Sequence, residues 1–302
     1  MYLCATIYKH DELFTIFSGM KKGVIFVVMM SVIAMFFGTG CTDKKEAKTD
    51  SVVVVTDTID TTAVDSIEEI IAETPMPKAA DELFDDFFFN FASNKQLQRN
   101  RILFPLTVKT GEESHQVQRQ EWKMEKFFRS QGYFTLIFDN TKQMKLVKDT
   151  SINKVTVEKI RLGNGTVEQF QFERKNGQWV LSEIDNISYA KTGNASFLTF
   201  LDKFLSDESS QQQNIDNPLS YYGPDPEGEE NKCVNAEIAA SEWRDFLPEL
   251  PTDVLYNIDY GQTNASSNQK ILMFKGIANG LETQLVFKKN GNDWRLVKLN
   301  AQ

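Results

Sequence analysis

Phe172-Glu-Arg-Lys-Asn-Gly-Gln-Trp179 returns 115 residues later as Phe287-Lys-Lys-Asn-Gly-Asn-Asp-Trp294. Asn-Gly between runs that alternate apolar and polar residues signals a β-hairpin, because a two-residue type I′ turn needs positive φ at both central positions and these residues tolerate it. The echo therefore predicts one hairpin made twice. Asn164-Gly165 and Asn279-Gly280 share the 115-residue offset, as do Phe170 and Leu285. Further upstream Trp122 matches Trp243 at 121, a drift that a loop-length difference produces.

At the front of each copy the apolar residues are spaced for one helical face: Leu83, Phe84, Phe87, Phe88 and Phe91, then Phe197, Leu198, Leu201, Phe204 and Leu205. The first unit is expected over 81–190. It has a polar-apolar connection at 97–108, a short helix near 122–128, and strands at 134–138, 142–147, 155–162, 166–174 and 178–184 that meander antiparallel. The second is expected over 191–302, with a polar loop through Tyr221 to Gly228, a helix at 236–246 and strands at 254–260, 269–277, 281–288 and 293–299. Each unit has about 110 residues, enough to fold as a domain.

Ahead of the units lie a leader (1–40) and a tether (41–80). Met20-Lys-Lys, an apolar run from Val24 to Phe37 and Gly38-Thr-Gly-Cys41 read as a signal peptide, with Met20 a candidate start. The run is 14 residues long, short of the roughly 20 that span a bilayer as a helix. From Thr42 to Ala80 there are nine acidic residues against four Lys, with no Gly, Phe, Tyr or Trp, so this stretch reads as a solvated, extended linker. It holds more than half of the chain's net charge of −9. The remaining acidity argues against nucleic acid as a partner. Val52 to Val55 is a β-prone exception within the linker.

Small residues leading into Cys41 resemble a bacterial lipoprotein lipobox of the looser Bacteroidetes kind. That implies diacylation of Cys41, a membrane partner through the lipid, and a cell-envelope location at the outer membrane. Asp50-Ser51-Val52, Asp57-Thr58-Ile59, Asp60-Thr61-Thr62 and Asp65-Ser66-Ile67 are similar to the O-glycosylation sequon of extracytoplasmic Bacteroidetes proteins. The order of elements, helices first and then an antiparallel sheet ending in a Trp-bearing hairpin, resembles the nuclear transport factor two-like, or ketosteroid-isomerase-like, cone. The expected fold class is thus α+β, two tandem cone-like modules each with N-terminal helices on a curved antiparallel sheet. A pair of cystatin-like modules is the alternative. The whole chain also resembles a lipoprotein family of gut Bacteroidetes.

Chemistry is sparsely supplied. The histidines are His10 and His115, and no metal-ligand spacing, phosphate loop, dinucleotide fingerprint or Gly-x-Ser-x-Gly elbow is present. No cofactor is expected. With Cys41 lipidated, Cys233 reads as a free, buried structural thiol. Lys142, Lys145, Lys148, Lys154, Lys159 and Arg161 read as a solvated basic face. The fold resemblance implies an Asp base and a Tyr donor in an apolar cone; Tyr133 and Asp139 in the first unit, and Tyr256, Asp259 and Tyr260 in the second, are the candidate pocket residues, and no catalytic role is carried onto them. Asp139 and Asp259, matched at offset 120, sit at strand ends, where Asp more often closes a turn. Two functions follow as expectations: a non-catalytic envelope lipoprotein binding a small apolar ligand, glycan or protein, or an isomerase-like or hydratase-like enzyme.

Overall fold

Both quoted stretches form hairpins. β5 (Thr166–Lys175) turns at Asn176-Gly177 into β6 (Gln178–Ser188), with φ of 52° and 78° at the two turn residues. In the second copy β11 (Glu282–Asn290) and β12 (Asp293–Ala301) close on Asn290 opposite Asp293, so the turn residues are Gly291-Asn292, one position later than expected. Only Gly291 there carries positive φ, at 62°. That is the pattern of type II′, which needs glycine first, instead of the expected type I′.

The computed structural model describes residues 81–225, 232–247, 249–262, 266–277 and 279–301. The leader, the signal peptide, the tether with its sequons and Cys41 lie outside the described residues. Helix α1 (Phe84–Ser93) and helix α2 (Lys95–Asn100) precede β1 (Ile102–Thr110), β2 (Glu113–Val117), a 3-10 turn at Phe127–Ser130, β3 (Tyr133–Phe138) and β4 (Lys154–Arg161). After β6 the same order returns. Helix α3 (Ala195–Ser206) and helix α4 (Glu208–Gln213) lead to β7 (Ile215–Pro224), β8 (Cys233–Ile238), a 3-10 turn at Trp243–Phe246, β9 (Val254–Asp259) and β10 (Gln269–Gly276).

These strands make one sheet of twelve among the described residues, in the order β2-β1-β6-β5-β4-β9-β3-β10-β11-β12-β7-β8. The third strand of each half has changed places. β9 pairs antiparallel with β4, and β3 pairs antiparallel with β10. A simple meander within each half is therefore not what forms. The connection permits it: a 3-10 segment, Thr141–Lys148, occupies the link from β3 to β4, too long for a tight hairpin, so β3 is free to cross to the other half. Where the two crossed strands meet, they are parallel, through Thr135 opposite Asn257. β1 with β6 and β7 with β12 are parallel as well.

Along β3, Phe134, Leu136 and Phe138 belong to one core while Tyr133 and Ile137 belong to another; along β10, Ile271 and Met273 alternate with Leu272 and Phe274 in the same way. Since side chains alternate across a strand, the two cores lie on opposite faces of the central strands. α1 covers the first and α3 the second. Phe172 packs against Phe84, Phe87, Phe88 and Phe91 with ring centroids 5.2–6.0 Å apart, and Trp179 meets Phe84 edge-on at 5.0 Å. The second core repeats this. Phe287 packs on Phe197, Phe200 and Phe204, and Trp294 meets Phe197 at 5.2 Å.

Five further expectations are corrected. Residues 97–108, read as a connection, hold α2 and β1; Pro105 masked the strand, and Phe104–Pro105 is a cis peptide, as is Asn217–Pro218 in β7. Tyr221 to Pro224, expected within a polar loop, is likewise the end of strand β7, paired with β8. The helix expected at 236–246 is instead the end of edge strand β8 and a short 3-10 turn, and that at 122–128 is a 3-10 turn at Phe127–Ser130. The strand expected at 142–147 is the 3-10 segment, whose apolar Met144, Leu146 and Val147 pack on the first core.

Candidate functional site

Tyr256 and Tyr260 stand four residues apart and both join the first core. Neither meets Asp259. Alternation places Asp259 on the other face, where its Oδ1 accepts the Gly261 N–H at 2.8 Å as a turn-closing carboxylate does. The Tyr260 hydroxyl donates instead to Asp85 of α1, whose Oδ2 also accepts Lys275 Nζ at 3.1 Å. Tyr256 donates to Glu125 Oε1 at 3.2 Å, and Lys159 Nζ donates to Glu125 Oε2 at 3.0 Å. Burial, and then the adjacent carboxylate, raises both phenols above their ordinary value. Tyr133, pushed up to about 12 by burial and then by Glu249, donates to the Glu249 carbonyl at 2.9 Å.

Asp139 does not close a turn with its carboxylate. It makes a buried ion pair with Lys270 at 2.6 Å and accepts Gln143 Nε2 at 3.3 Å. The match of Asp139 with Asp259 is also one residue out. Val157 opposite Phe170 corresponds to Leu272 opposite Leu285, which makes Phe138, opposite Ile271, the counterpart of Asp259, opposite Thr156. Asp139 then corresponds to Tyr260. A slip of one residue exchanges faces, and so the expected Asp/Tyr pair is not assembled in either core.

Sequence reading missed Glu158. In β4, flanked by Lys154, Lys159 and Arg161, it looks solvated, yet it is 3% exposed because strand β9 lies against it. Gln169 Nε2 donates to its Oε1 at 2.9 Å and Asn257 Nδ2 to its Oε2 at 2.8 Å. Burial, followed by the nearby Asp259 carboxylate, pushes this carboxyl up to about 7 against the opposing pull of the two amides. It is sealed from solvent, so it has no route to a substrate. Of the other singled-out residues, His115 lies exposed on edge strand β2. Cys233 is half-buried at the start of edge strand β8, not the fully buried thiol expected. No group of three or more His, Cys, Asp or Glu among the described residues is placed to hold a metal ion.

An accessible cleft opens beside the Tyr260–Asp85–Lys275 set. It measures about 190 Å³ and is bounded by α1, β3, β9 and the end of β10. Phe88, Phe128, Phe134 and Ile258 make a buried apolar floor, while Asp85, Asp86, Phe89 and Lys275 stand at the rim. Phe89 is the exposed large apolar side chain among the described residues, at 47%. A helix acid (Asp85) and a strand-end lysine (Lys275) 190 positions apart gave no joint signal in the sequence.

The architecture is α+β, a large and mainly antiparallel sheet with few helices, and it is similar to a solved structure described as an ntf2-like protein from Bacteroides fragilis NCTC 9343. The two share 38% identity over 76% of this chain and 99% of that one, with a TM-score of 0.68. The chain belongs to the family DUF4348, a domain of unknown function, whose profile matches residues 63–301. No curated protein matches it.

Proposed function

We propose that this chain is a non-catalytic cell-envelope lipoprotein, acylated at Cys41, whose halves 81–190 and 191–302 are nuclear transport factor two-like modules in tandem that exchange their third strands, β3 and β9, and whose cleft holds a small apolar ligand. The observation that carries this reading is that rings fill the cores while the cleft beside α1 stays open. A cone-type isomerase needs a phenol free to donate to its substrate and a carboxylate able to take a proton there. Here the three candidate phenols donate to Glu249, Glu125 and Asp85, and the carboxyl tuned near neutrality is sealed. The tandem reading is supported by the repeated element order and the matched Trp and Phe contacts. The envelope reading rests on the lipobox-like sequence.

The experiment is an isoleucine-methyl NMR titration of the full chain with neutral single-ring probes, benzyl alcohol and 2-phenylethanol. Shifts confined to Ile258 and Ile277 support the cleft. Shifts centred on Ile137 or Ile160, or no saturable shift with any probe, reject it.

A further inference from the structure

We propose that the cleft selects a small organic cation: an aromatic or branched apolar body of about one ring carrying a primary or secondary ammonium group. This rests on the reading of the cleft as a ligand site and adds the ligand's charge. The floor fits such a body, since Phe88, Phe128, Phe134 and Ile258 are apolar and buried. A cavity of about 150 Å³ already accepts benzene, and this one measures about 190 Å³.

The rim sets the sign. Asp85 and Asp86 outnumber Lys275, and the Asp85–Lys275 pair cancels one of them. The surplus is the Asp86 carboxylate, which lines the cleft about one helical turn from Phe89 and which no side chain of the described residues engages. Asp85 itself is held in place by Tyr260 and Lys275, one donor on each oxygen. Each carboxylate oxygen takes more than one hydrogen bond, so a preformed acceptor remains for an ammonium at the mouth. The floor has an affinity of the same sign. Lys275 Nζ already lies 5.8 Å from the centroid of Phe134, the geometry in which a ring face attracts a cation. Phe89, exposed at 47%, supplies a wall that closes over the ligand body, which explains why a phenyl ring stands in water on an otherwise polar helix face.

The test compares phenethylamine, 2-phenylethanol and 3-phenylpropionate, three probes with one body and three charges, by calorimetry on the full chain with Ile258 and Ile277 methyl shifts as the site readout. Phenethylamine should bind most tightly and the propionate most weakly. Asp86→Asn should weaken phenethylamine about two- to fivefold, as loss of one solvent-exposed charge pair does, and leave 2-phenylethanol unchanged. Lys275→Met should tighten phenethylamine by removing the like charge. Equal affinity for the amine and the alcohol, or preference for the propionate, overturns the cation inference while leaving the cleft a ligand site. No shift at Ile258 and Ile277 with any of the three removes the binding reading together with it.

Discussion

Glu158→Gln should stabilise the protein at pH 8 and leave it nearly unchanged at pH 4. The folded carboxyl sits at about 7 against an ordinary 4.5, with burial as the leading cause. A group raised on folding contributes its stability in full below the unfolded value, and that contribution is lost as pH rises through the folded value. The window is therefore pH 4.5 to 7. Each tenfold step in proton affinity is about 1.4 kcal/mol, so ionised Glu158 costs roughly 3 kcal/mol at pH 8 relative to pH 4. Glutamine copies the neutral acid. Its amide finds an acceptor in Asn257 Oδ1, which is buried without a partner, once the Asn257 amide turns over. Urea denaturation of both proteins at intervals between pH 4 and pH 8 gives the difference directly, with the slope checked for constancy. A difference that stays flat across this range, or one in which the wild type gains on the variant as pH rises, refutes the reasoning.

Trp179→Ala and Trp294→Ala should each cost about 3–5 kcal/mol, by denaturant midpoint, since both rings are buried against the opening Phe of their own helix; a cost below 1 kcal/mol at either would break the equivalence of the hairpins. Lys270→Met should cost roughly 3–5 kcal/mol by leaving Asp139 buried without its cation, and Asp139→Asn in the same background should recover much of it. Protein extracted from membranes should have the intact mass of a chain that begins at an acylated Cys41, and a chain retaining the residues before it would contradict the anchor.

The hairpins were legible because Asn, Gly and alternation act over a few residues. So were the helix faces, since Phe84, Phe87, Phe88 and Phe91 encode one stripe at helical spacing. What lay hidden was set by distant contact. The crossing of β3 and β9 left little local trace, because a strand carries its alternation whichever neighbour it pairs with. Its one sign was the run Tyr133 to Phe138, apolar but for Thr135, which is what a strand covered on both faces requires. Glu158 and Asp85 were hidden for the same reason. Each looks like an ordinary surface acid until β9 seals the first and Tyr260 and Lys275 close on the second. Of the candidate residues, Tyr260 does border the cleft's polar set, while Tyr133, Asp139 and Asp259 serve contacts elsewhere.

The central claim, that ligand binding takes place in the open cleft and not within a core, is tested most directly by a crystal structure of the full chain soaked with phenethylamine. The account predicts the ring over Phe88 and Phe134, covered by Phe89, with the nitrogen at Asp86. Density for the probe inside the second core beside Asp139 and Lys270, or a cleft that stays empty at saturating probe, would contradict it.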